Sequence, residues 1–438
     1  MVMREMKESG ISWIGVMPAD WQIGRIKDVI GVLTDYTANG SFGDLAKNVT
    51  YLDYEDYARL VRLTDLRENL QNAGVYVDED AYEYLGKSKL FGGEVLVANV
   101  GAYAGLFCEM PQPDMPATLG PNMYLIRTNN VMEAHYLYYL GNTSMVQEQL
   151  KQKAISSAQP KLNKTDVKTV YISIPSVPDQ HRISTYLDAK CSEIDALTAD
   201  IKSQIDTLEQ YKHSVITEAV TKGLDKDVEM KESGIEYVGK IPASWDMHPV
   251  YYYFGERKHK NSLGEEQNLL SLSYGNIIRK DINTREGLLP ESFNTYNIVE
   301  AGDIIIRPTD LQNDKSSLRT GLVREHGIIT SAYIDLMPVR NINTDYYHYL
   351  LHAFDVMKVF YNMGNGVRQG LNFSEFSRLM VFEPSLAEQN SIVDYLNDKC
   401  GQINTVISEK QDQLATLDAY KKSTIYEYVT GKKEVPAV

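Results

Sequence analysis

QHRISTYLDAKCSEIDALTADIKSQIDTLEQYKHSVITEAVT, Gln180 to Thr221, returns as QNSIVDYLNDKCGQINTVISEKQDQLATLDAYKKSTIYEYVT, Gln389 to Thr430, at a constant offset of 209 with seventeen identities. The first copy has no Gly or Pro and the second only Gly401. Apolar residues recur at helical spacing: Leu187, Ile194, Leu197, Ile201, Leu208, Tyr211, Val215, and in the copy Leu396, Ile403, Val406, Leu414, Leu417, Tyr420, Ile425. Alternation of three and four predicts two long helices with a coiled-coil seam. Pro175, Pro178 and Pro384 stand where the helices start, and Gly223 and Gly431 where they stop. About 42 residues at ~1.5 Å each make a rod of roughly 63 Å.

The repeat extends outward from these helices. MKESGISWIGVMPADW, Met6 to Trp21, returns as MKESGIEYVGKIPASW, Met230 to Trp245, with ten of sixteen positions identical. GGEVLVAN from Gly92 echoes AGDIIIRP from Ala301, and PKLNKTD from Pro160 echoes GLNFSE from Gly370. Between these blocks the halves diverge. Short β-like runs, Glu94–Asn99, Met123–Arg127, Val170–Ile174 and Asp303–Arg307, alternate with turns. An aromatic helix precedes each basic loop, AHYLYYLGN from Ala134 and YYHYLLHAF from Tyr346, its tyrosines read as core. The expected fold is α+β: two mixed α/β domains separated by two long helices packed as an antiparallel coiled coil, a pseudo-twofold repeat. The boundaries drawn are 1–178, 179–223 for the first spacer helix, 224–387, and 388–438 for the second spacer helix and tail.

The 438 residues are 43% hydrophobic and 24% charged, enough apolar material for more than one core. No run is long and apolar enough to span a bilayer, and the first residues lack a signal-peptide core. Three cysteines, Cys108, Cys191 and Cys400, fit a reduced cytoplasm. The net charge of −15 disfavours nucleic acid as a partner only weakly, because a reader of DNA needs a local basic surface. Lys151, Lys153, Lys161, Lys164 and Lys168 against Asp166 make one; the acids gather elsewhere, at Asp53, Glu55 and Asp56 and at Asp78, Glu79, Asp80 and Glu83.

Two diverged domains on a shared frame are what a non-palindromic, two-part DNA site requires, its halves about one helical turn apart. Taken together, the duplicated motifs resemble the specificity subunit of type I restriction–modification enzymes over essentially the whole chain. They are Ile14-Gly15-x-x-Pro18-x-x-Trp21 (Val238-Gly239 in the copy), Gly93-Glu94-Val95 and Gly302-Asp303-Ile304, Gln159 before Leu162-Asn163 and Gln369 before Leu371-Asn372, and the Gln-x-x-Ile-x-x-Tyr-Leu helix start. The glutamine spacing differs by one residue between copies. The resemblance implies two target-recognition domains, an antiparallel helical spacer, two adenine-methylating subunits as partners and, in the restricting form, two ATP-driven restriction subunits. S-adenosylmethionine, ATP and magnesium would then sit on the partners, with no cofactor on this chain. Tyr186, Leu187 and Tyr211, with Tyr395, Leu396 and Tyr420, are the partner-binding candidates on the helices.

Side-chain chemistry nominates the DNA contacts, since amides reach base edges and Lys or Arg hold phosphates. In the first domain these are Asn99, Tyr103, Ser157, Gln159, Lys161 and Lys164, with Arg62, Thr64 and Arg67 at an earlier strand end. In the second they are Arg307, Thr309, Gln312, Asn313, Lys315, Arg319, Arg368 and Gln369, with Tyr274, Arg279 and Lys280 earlier. Catalytic motifs are missing: there is no GxxxxGK[ST] and no Pro-Pro. His348 and His352 have zincin spacing, but Tyr349 stands where the glutamate belongs. A specificity subunit for a fused methylase–nuclease or for a methylation-only system fits the same residues; a coiled-coil adaptor without nucleic acid would lack the basic segments.

Overall fold

The computed structural model describes residues 4–154, 159–236, 238–283, 292–309, 318–359, 361 and 370–436. The chain forms two compact units, Met1–Asp200 with Gln413–Val438, and Ile201–Asp412. The long helices run Val177–Lys222 and Leu386–Val429, and each contributes one end to each unit.

Both units hold the same four-stranded antiparallel sheet. In the first the strand order is Ile30–Asp35, Met123–Thr128, Val95–Ala98, Phe107–Glu109, with Val95 opposite both Ile126 and Glu109. In the second it is Phe254–Glu256, Ile334–Pro338, Ile304–Ile306, Thr320–Leu322, with Ile304 opposite both Leu336 and Leu322. The central strands, VLVA and III, are buried throughout, so they read as apolar runs without alternation. The insertions then differ. The first unit adds a second sheet in which Ala58–Val61 and Ala117–Leu119 pair in parallel. The second adds the hairpin Leu270–Ser273 with Asn276–Arg279.

The tyrosine-rich helices, Ala134–Gly141 and Thr344–Val356, pack as core, as expected. Tyr136 and Tyr346 are fully buried, and burial raises both phenols well above their ordinary range. Their hydroxyls donate to the carbonyls of Val429 (2.8 Å) and Val220 (3.2 Å), which lie in the last turns of the long helices and have no helical donor left. The duplicated Pro-x-x-Trp works at the same ends. Gly431 (φ +72°) abuts Trp21 and Gly223 (φ +74°) abuts Trp245; a Cβ on Gly431 would come within 2.4 Å of Pro18. Each leading segment therefore closes on the end of the other repeat's helix.

Within each unit the helices run antiparallel. In the first, Tyr186 meets Tyr428 and Lys421 binds Asp195 at 2.6 Å. In the second, Lys212 binds Asn404 at 3.0 Å and Lys410 binds Gln204. The heptad seam expected is present, with one of its two columns shifted. On the first helix Leu187, Ile194, Ile201, Leu208 and Val215 recur every seven residues, with Cys191, Ile205 and Ala219 as the second column four residues after the first, all buried or half-buried. Leu197, Tyr211, Val406 and Tyr420 consequently fall outside it, at 53%, 54%, 39% and 55% exposure. The three cysteines are free.

Histidines in both units tie stability to pH, with opposite sign. His135 sits between Glu109 (2.6 Å) and Asp188 (2.7 Å); the Glu109 hydrogen bond, with that of Asp188 behind it, lifts it to about 9. A histidine raised above its unfolded value of 6.5 stabilises fully below that pH and loses its contribution as pH rises through about 9. In the second unit burial pushes His348 down to about 4 and His352 to about 3. Their contribution is present above 6.5 and is lost as pH falls toward 4. Pulse proteolysis in urea with peptide mapping should therefore show the first unit weakening at pH 9.5 and the second at pH 4.5, with His135→Gln flattening the alkaline limb. Identical pH profiles for the two units would contradict this.

Candidate nucleic-acid interface

The duplicated motifs place the candidate residues mostly by building turns. Glu94 accepts from the Phe91 and Gly92 amides (3.0 and 2.9 Å), where Gly92 and Gly93 have φ of +98° and +80°. Asp303 likewise accepts from the Glu300 amide at 2.8 Å, beside Gly302 at φ +98°. These acids shape the turn that feeds each central strand. The Leu-Asn pair is equally structural. Leu162 and Leu371 are buried, while Asn163 and Asn372 cap short helices by accepting from Asp166 and Glu375 amides (2.9 and 3.0 Å).

What the motifs bring together is the end of the central strand and the segment before Leu-Asn. The Leu162 amide donates to the Asn99 carbonyl at 2.9 Å, and the Leu371 amide to the Pro308 carbonyl at 2.9 Å, the same bond 209 residues on. In the first unit Gly101 also donates to Pro160 (2.9 Å), and Val100 bridges Lys161. Gln159 lies along Gly101. Tyr103 is 46% exposed, with the Arg67 guanidinium 4.8 Å above its ring. Tyr103, Arg67, Gln159 and Lys161 thus form one exposed group around the strand end, as chemistry nominated.

Other nominees have internal duties. Asn99 is buried. Lys164 is bound to Asp35 at 3.0 Å. Arg62 pairs with buried Asp65 at 3.0 Å; burial opposes the Asp65 charge, but hydrogen bonds from Arg62 and Asn72 outweigh it and hold the carboxyl below its ordinary range. Thr64 is exposed one turn away.

In the second unit Arg319 corrects its nomination. It is fully buried, with Nε donating to Tyr361 Oη (2.9 Å), Nη1 to the Thr309 carbonyl, and its amide to Asp355. A guanidinium so enclosed cannot reach a phosphate. Arg307 is half-buried, its amide on the Arg319 carbonyl at 2.8 Å; Thr309 is exposed. Tyr274 is 87% exposed at the tip of the two-residue hairpin, with φ +47° followed by Gly275 at +79°. That pair of positive φ values marks a type I′ turn. Gly275 rests on Leu318, so the tip adjoins the Leu318–Arg319 strand end. Arg279 is exposed and paired to Glu325; Lys280 is exposed. Asn276, exposed beside Tyr274, escaped the sequence reading; the Tyr-Gly-Asn turn between LSLS and NIIR was the available signal. Ser157, Gln312, Asn313, Lys315, Arg368 and Gln369 lie outside the described residues.

Of the partner-binding nominees, Leu187 and Leu396 are fully buried in their own units' cores and present no surface. Tyr186 is half-buried, and Tyr211, Tyr395 and Tyr420 are exposed. Among the described residues no helix is long and apolar enough to cross a membrane, and no group of three or more His, Cys, Asp or Glu is arranged to hold a metal ion.

Residues 18–207 match the profile of the Type I restriction modification DNA specificity domain. Over 435 residues the chain is 23% identical to the MjaX specificity subunit of Methanocaldococcus jannaschii, named as a type I restriction enzyme component, covering 96% of each. The MjaVIII specificity subunit of the same organism is 23% identical over 239 residues, 53% of this chain and 48% of that protein. A chain from a solved structure on complex assembly and conformational transition of the type I R-M system shares the fold, with a TM-score of 0.67 at 14% identity over 95% of this chain and 99% of that one.

Proposed function

We propose that this chain, which belongs to the type I restriction–modification DNA-specificity family, reads a two-part, non-palindromic DNA site with one half-site per unit. It is the recognising member of its complex and carries no catalysis. The finer assembly we propose is two adenine-methylating subunits, joined in the restricting form by two ATP-driven subunits in the cytoplasm. S-adenosylmethionine, ATP and magnesium act on those partners.

The observation that carries the reading is the bond repeated 209 residues apart, from Leu162 to Asn99 and from Leu371 to Pro308. One scaffold holds two strand ends whose exposed neighbours differ. Tyr103, Arg67, Gln159 and Lys161 surround the first; Tyr274, Asn276, Arg279, Lys280 and Thr309 lie on the second unit. An identical frame with different side chains suits two different half-sites, because scaffold contacts to phosphates fix register while base-edge contacts specify.

Sequencing of methylated sites tests it. Arg67→Ala with Tyr103→Ala should relax one half of the motif only, and Tyr274→Ala with Arg279→Ala the other half only. A good base contact is worth about 1–3 kcal/mol, so discrimination should fall about tenfold or more. Lys161→Ala should lower affinity evenly across sequences, as loss of a phosphate contact does. A change in one unit that altered both halves, or neither, would sink independent half-site reading.

A further inference from the structure

In the unit Ile201–Asp412 a cavity of about 760 Å³ opens beside Tyr395. Ala219, Leu224 and Met230 line it with the Tyr395 ring, and Lys222, Lys226 and Lys240 stand around it. The other unit shows what such a space accommodates. There Tyr186 corresponds to Tyr395 and Tyr428 to Ala219, each 209 residues apart. Tyr428 lies against Tyr186 with ring centroids 4.5 Å apart and hydroxyls at 3.1 Å, and it is 9% exposed. In the second unit alanine supplies no ring. Tyr395 is left 37% exposed against an unfilled volume, with Leu224 40% exposed beside it.

We propose that this cavity receives an aromatic side chain from a methylation subunit, carried next to acidic residues. The internal Tyr186–Tyr428 pair supplies the geometry: a phenol-sized ring laid on a tyrosine already in place. Offset or tilted aromatic pairs at 4.5–7 Å add stabilisation beyond the area they bury. The three lysines supply the charge preference, since they outnumber Glu218 and Asp225, the carboxylates that line the same cavity among the described residues. Aromatic side chains in desolvated pockets dominate protein interfaces. The consequence is that the two methylation subunits seat differently: one meets a ring pair complete within this chain, the other completes the pair itself. This rests on the reading that the chain assembles with methylation subunits.

The test uses the full chain and the methylation subunit of its own system, titrated by native mass spectrometry and sedimentation velocity. Ala219→Tyr fills the cavity as Tyr428 fills its counterpart. It should weaken the binding of one of two copies at least tenfold and leave the other unchanged. Lys222→Glu with Lys226→Glu, both exposed, should weaken the same step. If Ala219→Tyr fails to fold, the lysine pair decides alone. Two copies bound at wild-type affinity by folded variants would overturn the cavity assignment and leave the assembly reading standing. No methylation subunit bound by the unaltered chain would overturn both. A self-associated chain that Ala219→Tyr returns to monomer would identify a second copy as the occupant and overturn the proposal.

Discussion

Arg319→Ala is expected to cost the second unit about 3–5 kcal/mol, the usual result of removing one partner from a buried charged cluster. Arg319 and Asp355 are both 0% exposed, and Tyr361 joins them, donating to Asp355 at 3.0 Å while accepting from Arg319. Removing the guanidinium leaves the Asp355 carboxyl enclosed and the Thr309 carbonyl without that donor. Burial already raises Asp355 above its ordinary range, so the loss falls on a group with little solvation in reserve. For a unit of this size the melting temperature should drop by roughly 10 °C. Calorimetry on Arg319→Ala, Asp355→Ala and Arg319→Met with Asp355→Leu checks it. The double variant should be the least destabilised, because two apolar side chains leave no charge unpaired. Singles that melt within 2 °C of the unaltered chain would show the cluster to be idle.

Asp335→Asn should move stability the other way, by about 3 kcal/mol at pH 8. Asp335 is 1% exposed on a central strand, and among the described residues neither carboxyl oxygen has a hydrogen-bond partner. Burial, reinforced by Asp303, pushes it up to about 8, and Arg257 at 4.0 Å only partly offsets this. An acid raised in the folded state contributes fully below its unfolded value, near 4, and that contribution is lost as pH rises through about 8. Each tenfold difference in proton affinity is worth about 1.4 kcal/mol. Urea midpoints of the second unit between pH 6.5 and 8, above the range in which His348 and His352 titrate, should fall for the unaltered chain and stay flatter for Asp335→Asn. The aligned position in the first unit is Leu125, fully buried, so the difference between the two proteins should be confined to the second unit. Parallel curves for the two proteins would refute the assignment.

Much of this fold was legible because its signals are local. A stretch of 42 residues, met twice with no Pro and a single Gly across the two copies, can hardly be anything but helix, and the apolar runs at Val95–Ala98 and Ile304–Ile306 read as buried strands. What misled was chemistry that depends on distant partners. Arg319 reads as a DNA contact because the residues enclosing it, Asp355 and Tyr361, lie 36 and 42 positions away. Asn99 and Lys164 sit in the right segment, yet one is folded under and the other engaged by Asp35. Leu197 and Tyr211 lie three residues after Ile194 and Leu208 and so fit a heptad, but the column that completes the seam lies four residues after, at Cys191, Ile205 and Ala219, which turns them outward. Tyr103, Gln159 and Lys161 are exposed at the strand end because a Gly-rich turn and the residues before Leu-Asn both lie at the surface.

The closure of each leading segment on the far helix also sets an order on synthesis. The core of the first unit includes Trp21, Ile183 and Leu187 together with Tyr428 and Val429. Between Ile183 and Val429 the ribosome adds some 250 residues, which at ~5–20 residues per second takes about 10–50 s. Through that interval the first sheet and its aromatic helix wait with one wall missing, and Tyr136 has no Val429 carbonyl to reach. The second unit waits far less, since Val215–Val220 precede it and Leu396 and Cys400 follow soon after its last strand. The unit begun first is therefore the last to finish.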